Sequence, residues 1–215
     1  MKFLIPLLSL FLLSSCASTK KKPEPPKKIE KCVVKKCLSL PNLSQKQEIL
    51  FTALQSYLKE LQLLHIDNIV EMTYPKLFRI IPKFQYKRQI QTMAKSSNLE
   101  IKSFESNITN IGKIKSFSDG NFSKVGYSSK IKIHLKNPKL YNTKVSIDTL
   151  YSIFVRKYGK ENIHIDTKKR IISIKNKETM FAIKEADNQW KFLLDNPTYR
   201  ELYPDFLPHE ILDTI

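Results

Sequence analysis

Glycine is scarce in this chain, with four residues among 215. A loop that wraps phosphate in backbone N–H groups needs several glycines close together, so glycine-rich nucleotide loops are all but excluded by count. Histidine is equally thin. His65, His134, His164 and His209 stand far apart in no ligand spacing, and no HExxH, GxSxG or P-loop pattern occurs. Of the three cysteines, Cys32 and Cys37 have no histidine nearby, so a zinc site has little to recommend it. The apolar run at the start of the chain falls short of the about 20 residues that a membrane-spanning helix wants. These absences leave no catalytic residue, metal ligand or cofactor motif to name.

What is present begins with charge. The formal balance is +17, and its distribution matters more than its size. Residues 17–40 carry eight Lys against Glu24 and Glu30, a net +6, whereas 41–215 carry 28 Lys or Arg against 18 acids, a net +10. The folded region is long enough for one domain with a proper core. Twelve Phe and nine Tyr give it aromatic bulk to bury.

Lys2 supplies a positive start, and Phe3 to Leu13 is apolar apart from Ser9, with Pro6 inside it. This is the build of a secretory signal with a small-residue cleavage point. The run closes on Leu13-Ser14-Ser15-Cys16. That ending resembles the lipobox of bacterial lipoproteins. The resemblance implies that the Cys16 thiol receives a diacylglycerol, that cleavage falls just before it, and that the new amine is acylated. Residues 1–15 are then signal peptide and 16–43 a lipidated, Lys/Pro-rich tether. Its prolines and self-repelling lysines favour an extended spacer. Ala17 rather than Asp after the cysteine favours the outer membrane, by resemblance to the sorting rule of many Gram-negative lipoproteins. With Cys16 so occupied, Cys32 and Cys37 form an even pair in an oxidising compartment, separated by four residues. A disulfide between them is one expectation and two free thiols the other. Export also removes nucleic acid as partner. Anionic lipid, cell-wall polymer or an acidic envelope protein remain, beside the plain alternative of solvated lysines.

Residues 44–215 read as an α+β domain. Ser44-Gln45-Lys46-Gln47 fits a capping box, followed by Leu50, Leu54, Tyr57, Leu58, Leu61 and Leu64 at helical spacing. A second helix is expected from Asp67 as N-cap, Pro75 kinks or restarts it, and a third runs from Pro82 to Ser96. The period then changes. Leu99–Phe104 and Ile108–Ile114 are expected as two strands, and Asp119-Gly120 as a hairpin turn before Val125–Leu135. A helix follows over 147–158, closed by Gly159. Short strands are expected at Ile163–Ile165, Ile171–Ile174 and Met180–Ile183. Asp187-Asn188 turns the chain into Trp190–Leu193, and a short helix follows Pro208.

Helices followed by antiparallel strands predict N-terminal helices packed on one face of a curved sheet. The stretch Ile69-Val70-Glu71-Met72-Thr73-Tyr74-Pro75-Lys76-Leu77-Phe78 and the late strand Asn188-Gln189-Trp190-Lys191-Phe192-Leu193 resemble the nuclear-transport-factor-two-like cone fold. The likeness covers 44–196, and the helix at 146–158 departs from it. It implies a space between helices and sheet, used in that superfamily for catalysis, ligand binding or dimer contacts. Tyr74, Phe78, Tyr127 and Trp190 are the residues expected around such a pocket, although large apolar side chains are first read as core. Alternation puts His134 and His164 on a polar face, and Asp67 and Asp148 read as helix starts rather than bases. Glu105-Ser106-Asn107-Ile108-Thr109 and Asp119-Gly120-Asn121-Phe122-Ser123 each place an acid two before Asn-x-Ser/Thr. Both resemble the extended acceptor site of certain bacterial N-glycosylation systems, with Asn121 the more reachable. The expected function is a membrane-anchored, non-catalytic envelope lipoprotein whose cone-like domain binds a partner. The rival is an envelope enzyme or small-ligand carrier using the pocket.

Overall fold

The computed structural model describes residues 43–137, 141 and 144–215. The signal segment, Cys16, Cys32, Cys37 and nearly all of the tether lie outside the described residues. Among the described residues, no helix is long and apolar enough to cross a membrane.

The chain enters through α1 (Gln45–Leu63), and the expected capping box is there. The Ser44 hydroxyl accepts from the Gln47 N–H at 3.4 Å, while Gln47 Oε1 accepts from the Ser44 N–H at 3.1 Å. Gln47 Nε2 also donates to the Ile111 and Gly112 carbonyls, tying the first helical turn to the sheet. Leu64 ends the helix in the left-handed region at φ 54°, an uncommon setting for a branched side chain. Then come α2 (Ile66–Met72), a 3₁₀ segment restarted by Pro75 (Pro75–Arg79) and α3 (Lys83–Ala94). His65, not Asp67, precedes α2, and it makes no side-chain cap. Asp67 sits one residue inside the helix and pairs with Lys87. Its carboxylate therefore still lies beside the positive helix end.

Six antiparallel strands form one open sheet: β1 (Leu99–Ile111), β2 (Lys115–Phe117), β3 (Gly120–Leu135), β4 (Ile163–Asp166), β5 (Ile171–Lys184) and β6 (Trp190–Leu194). β3 and β5 are its long centre. β1 and β2 share the outer edge of β3, and β4 and β6 share that of β5. The β6 edge is covered where Thr73 bridges Phe192 and the Tyr74 N–H donates to the Phe192 carbonyl at 2.9 Å. Between β3 and β4 lies α4 (Lys144–Tyr158), closed by Gly159 at φ 85°. A 3₁₀ segment (Pro197–Asp205) and α5 (His209–Leu212) end the chain. The architecture is α+β with an unclosed sheet.

Two strand expectations change. Residues 99–111 are one strand, not two, because register shifts at Ile101/Ser103 and Ile108/Asn110 reset the alternation without ending the pairing. Likewise 171–184 is a single strand. Its polar middle, Lys175-Asn176-Lys177-Glu178-Thr179, reads locally as a turn but pairs with β3 at every residue. At the hairpin, Gly120 is required by contact: a Cβ there would stand 2.0 Å from the Lys184 carbonyl oxygen.

Three apolar clusters hold the domain. One joins Leu50, Leu54, Tyr57 and Ile69 to Val125, Met180 and Phe192, with Tyr57 stacked on Phe192 at 4.7 Å. A second lies under α4, where Phe154 meets Ile131, Ile133, Ile172 and Ile174. The third includes side chains of the opposite side of the sheet, Phe122, Phe181 and Ile183, covered by Tyr203, Phe206, Leu207 and Ile211. One end of the sheet is thus covered on both sides and the other on one. Each buried aromatic or aliphatic side chain contributes roughly 1.5–3 kcal/mol.

Candidate functional site

Side chains of paired residues share a face, so the register shows what each rung presents. On the helix side, the rung Phe104–Ile131–Ile174 is apolar, as is Ile111–Val125–Met180 at the other end. Between them lie two rungs of different character: Ser106–Ser129–Asn176 and Ile108–Tyr127–Glu178. A polar seam therefore separates the α1 cluster from the α4 cluster. Gln62, near the end of α1, donates from Nε2 to the Ser106 hydroxyl at 3.2 Å and carbonyl at 3.3 Å.

Glu178 is the centre of the seam. Tyr127 OH donates to its Oε2 in a short hydrogen bond, and Asn176 Nδ2 donates to its Oε1 at 2.6 Å. Burial, and then the Glu178 charge, push the Tyr127 phenol well above its ordinary pKa. Tyr158 is raised by the same two causes in the same order. Loss of solvent lowers Lys157, partly offset by Glu178, although the residue itself is exposed; its Nζ stands 5.0 Å from the Tyr158 ring centre. Ser129 Oγ is buried and makes no hydrogen bond. A general base works best near the ambient pH, and a phenol held neutral does not approach it. The arrangement positions a carboxylate by two donors.

Beside the seam is a cavity of about 40 Å³ bordered by Tyr57, Tyr86, Met93, Phe104 and Tyr127. A second, of about 30 Å³, lies between Thr73, Leu77, Tyr86 and Tyr203. A water molecule needs at least about 10–15 Å³ of such space, so each holds a few waters at most. Burial raises the Tyr57 and Tyr86 phenols, and the Thr73 hydroxyl opposes the rise in both. The Thr73 hydroxyl itself donates to the Ile69 carbonyl at 2.7 Å.

The other side of the sheet is chemically different. Between Lys124 and His134 its β3 residues are all partly exposed. Lys130 stands directly opposite Lys175, with Lys132 opposite Ser173 and Lys177 opposite Ser128. Among the described residues, none of these four lysines has a carboxylate within 4.0 Å, whereas Lys102, Lys124 and Lys169 at the margin pair with Glu100, Asp195 and Asp166. Two buried atoms beneath this surface, Ser103 Oγ and His134 Nδ1, also lack a hydrogen-bond partner.

Comparison with protein-family models, curated proteins and solved structures finds no match.

The expected pocket residues do not share a cavity. Tyr127 reaches the larger one. Tyr74 is buried in the cluster shared with the C-terminal segment, where its OH donates to Glu185 Oε1 at 2.6 Å beside Lys76. Its phenol is raised, first by burial and then by the Glu185 bond. Phe78 packs edge-on to Tyr86, and Trp190 packs against the α1 cluster. His134 and His164 stand on the lysine side of the sheet, while His65 pairs with Glu60. Asn107 is exposed on edge strand β1; Asn121, half-buried, accepts from the Ser116 hydroxyl. Among the described residues, no three His, Cys, Asp or Glu gather as metal ligands. The seam residues Ser129, Asn176 and Glu178 were not expected. Their signal was parity: Ile172, Ile174, Met180 and Ala182 keep one alternation straight through the polar stretch.

Proposed function

We propose that this chain is a lipid-anchored protein of the bacterial cell envelope, sorted to the outer membrane, whose α+β domain binds a partner on its surface and does not turn over a substrate. The order of apolar run, small pair, Cys16 and basic tether supports the anchor. For the domain, the observation that carries the reading is the open sheet face with four lysines that have no carboxylate within 4.0 Å among the described residues. The interior offers less, since its side chains bond to one another and its cavities are water-sized. The cone-like likeness belongs to this proposal too. It is supported by the order of helices and strands and by the two register shifts, which bend β1.

The anchor is tested by fractionating cells that carry Cys16→Ala and by weighing the N-terminal peptide of the native chain. Acyl mass on Cys16 and release of the variant are expected. An unmodified Cys16, or a variant retained in the pellet as before, contradicts the proposal.

A second reading, small-ligand carriage, is favoured by the phenols around the larger cavity. A carrier purified from its cells would hold a small molecule detectable by native mass spectrometry, lost on Tyr86→Phe.

A further inference from the structure

We infer that the lysine side of the sheet docks on anionic phospholipid head groups of the membrane surface. This rests on the reading that the open face is the working surface, and adds what it works on.

The register places the charges. Lys130 and Lys175 share a rung, and Lys132 and Lys177 lie two residues further along β3 and β5. Side chains two apart on a strand are spaced by about 7 Å, and rung partners by about 5 Å, so the four ammonium groups rise from one small area. Like charges directly opposite destabilise a sheet. Glu105 faces Lys130 from β1 without forming an ion pair, and Glu100 and Asp166, at the margin, are occupied by Lys102 and Lys169. Four lysines against Glu105 thus leave the cluster net positive.

The residues between the lysines choose the partner. They are Ser128 and Ser173, with Ser103, Glu105 and Asn107 alongside on β1. A protein interface draws its energy from aromatic and aliphatic anchors in a desolvated centre, and the rungs that carry the four lysines supply none, Ile171 standing at the margin. A layer of phosphates needs only charge and hydrogen-bonding groups. The tether reinforces the choice: its eight lysines carry the same sign, and 26 residues before Leu43 span at most about 90 Å, ample for the domain to lie face down.

The test uses the full lipidated chain, purified from its cells and reconstituted on vesicles of phosphatidylcholine alone or mixed with phosphatidylglycerol. Lysine acetylation is then read residue by residue by mass spectrometry. Lys130, Lys132, Lys175 and Lys177 should react several-fold more slowly on the anionic vesicles than on the neutral ones. Lys46 and Lys59, exposed on the helix side, should not change. At about 1 M salt, where the screening length is about 3 Å, the protection should vanish. In Lys130→Glu/Lys175→Glu, protection of Lys132 and Lys177 should be lost. Equal rates on both vesicles, with the chain floating on each, overturn the docking surface and leave the anchor standing. Protection seen in intact cells but on neither vesicle also overturns it, and points to an acidic protein. Flotation on anionic vesicles alone, with the four lysines protected, supports the docking surface and contradicts the anchor; flotation on neither contradicts both.

Discussion

Along β3, the odd-numbered side chains from Ser123 to Leu135 are buried, while the even-numbered ones from Lys124 to His134 keep contact with water. One backbone thus serves two sides with different physics. On the helix side most groups are packed or hydrogen-bonded, even where polar residues interrupt the core, with Ser129 Oγ and Gln89 Oε1 as exceptions among the described residues. On the other side four lysines stand together with no carboxylate within 4.0 Å among the described residues, Glu105 facing Lys130 from further off. The first arrangement holds the domain together. The second costs some stability, and its value has to be sought in contact with something else.

Substitutions that differ only in which side they touch sharpen this contrast. The largest effect should come where the sheet is covered on both sides: Phe181→Ala removes a fully buried ring that meets Tyr203 edge-on and should cost about 3–5 kcal/mol in urea denaturation. Glu178→Ala should cost about 1–3 kcal/mol, because Tyr127 OH and Asn176 lose their acceptor. Its open-face neighbour Lys177→Ala should stay within about 0.5 kcal/mol of the parent chain.

High pH attacks the buried phenols, those of the helix side among them. Tyr57 and Tyr127 have folded pKa values raised above the ordinary 10.0. Below that value both folded and unfolded chains keep the proton, and stability does not depend on these groups. Above it the unfolded chain ionises first, so stability should fall by about 1.4 kcal/mol per pH unit for each such tyrosine until the folded phenol ionises too. Denaturant midpoints measured from pH 8 to pH 11 check this, and Tyr127→Phe should lessen the slope. The smallest effect has the opposite sign. Lys175→Glu turns the repulsive pair with Lys130 into an attractive one, in a rung that then alternates in sign from Glu105 across, and should stabilise by about 0.2–1 kcal/mol, a gain that salt erases. A loss there would break the contrast.

Much of the fold was legible in the residues. The Ser44–Gln47 capping box, the turns at Gly120 and Asn188, the stop at Gly159 and the alternation of 131–135 each rest on local chemistry and stand where they were expected. What failed was tertiary. The β1 register shifts split one strand into two apparent ones. Asn176 and Glu178 are inward-facing polar residues that a local reading takes for a turn, and only their partners on β3 explain them. Tyr74 and Phe78 pack in one cluster and Trp190 against another, and nothing in their spacing tells that Tyr127 alone of the four reaches the larger cavity. The lysine face was visible as alternation along β3. That Lys130 meets Lys175 needed the register.

The most direct test of the division between a holding side and a contacting side is a lysine acetylation footprint of the chain in its own intact cells, set against the same chain released in detergent. The account predicts that Lys130, Lys132, Lys175 and Lys177 react slowly in cells and quickly after release, with Lys46 and Lys59 alike in both. Four open-face lysines that react as fast in cells as in detergent would contradict it.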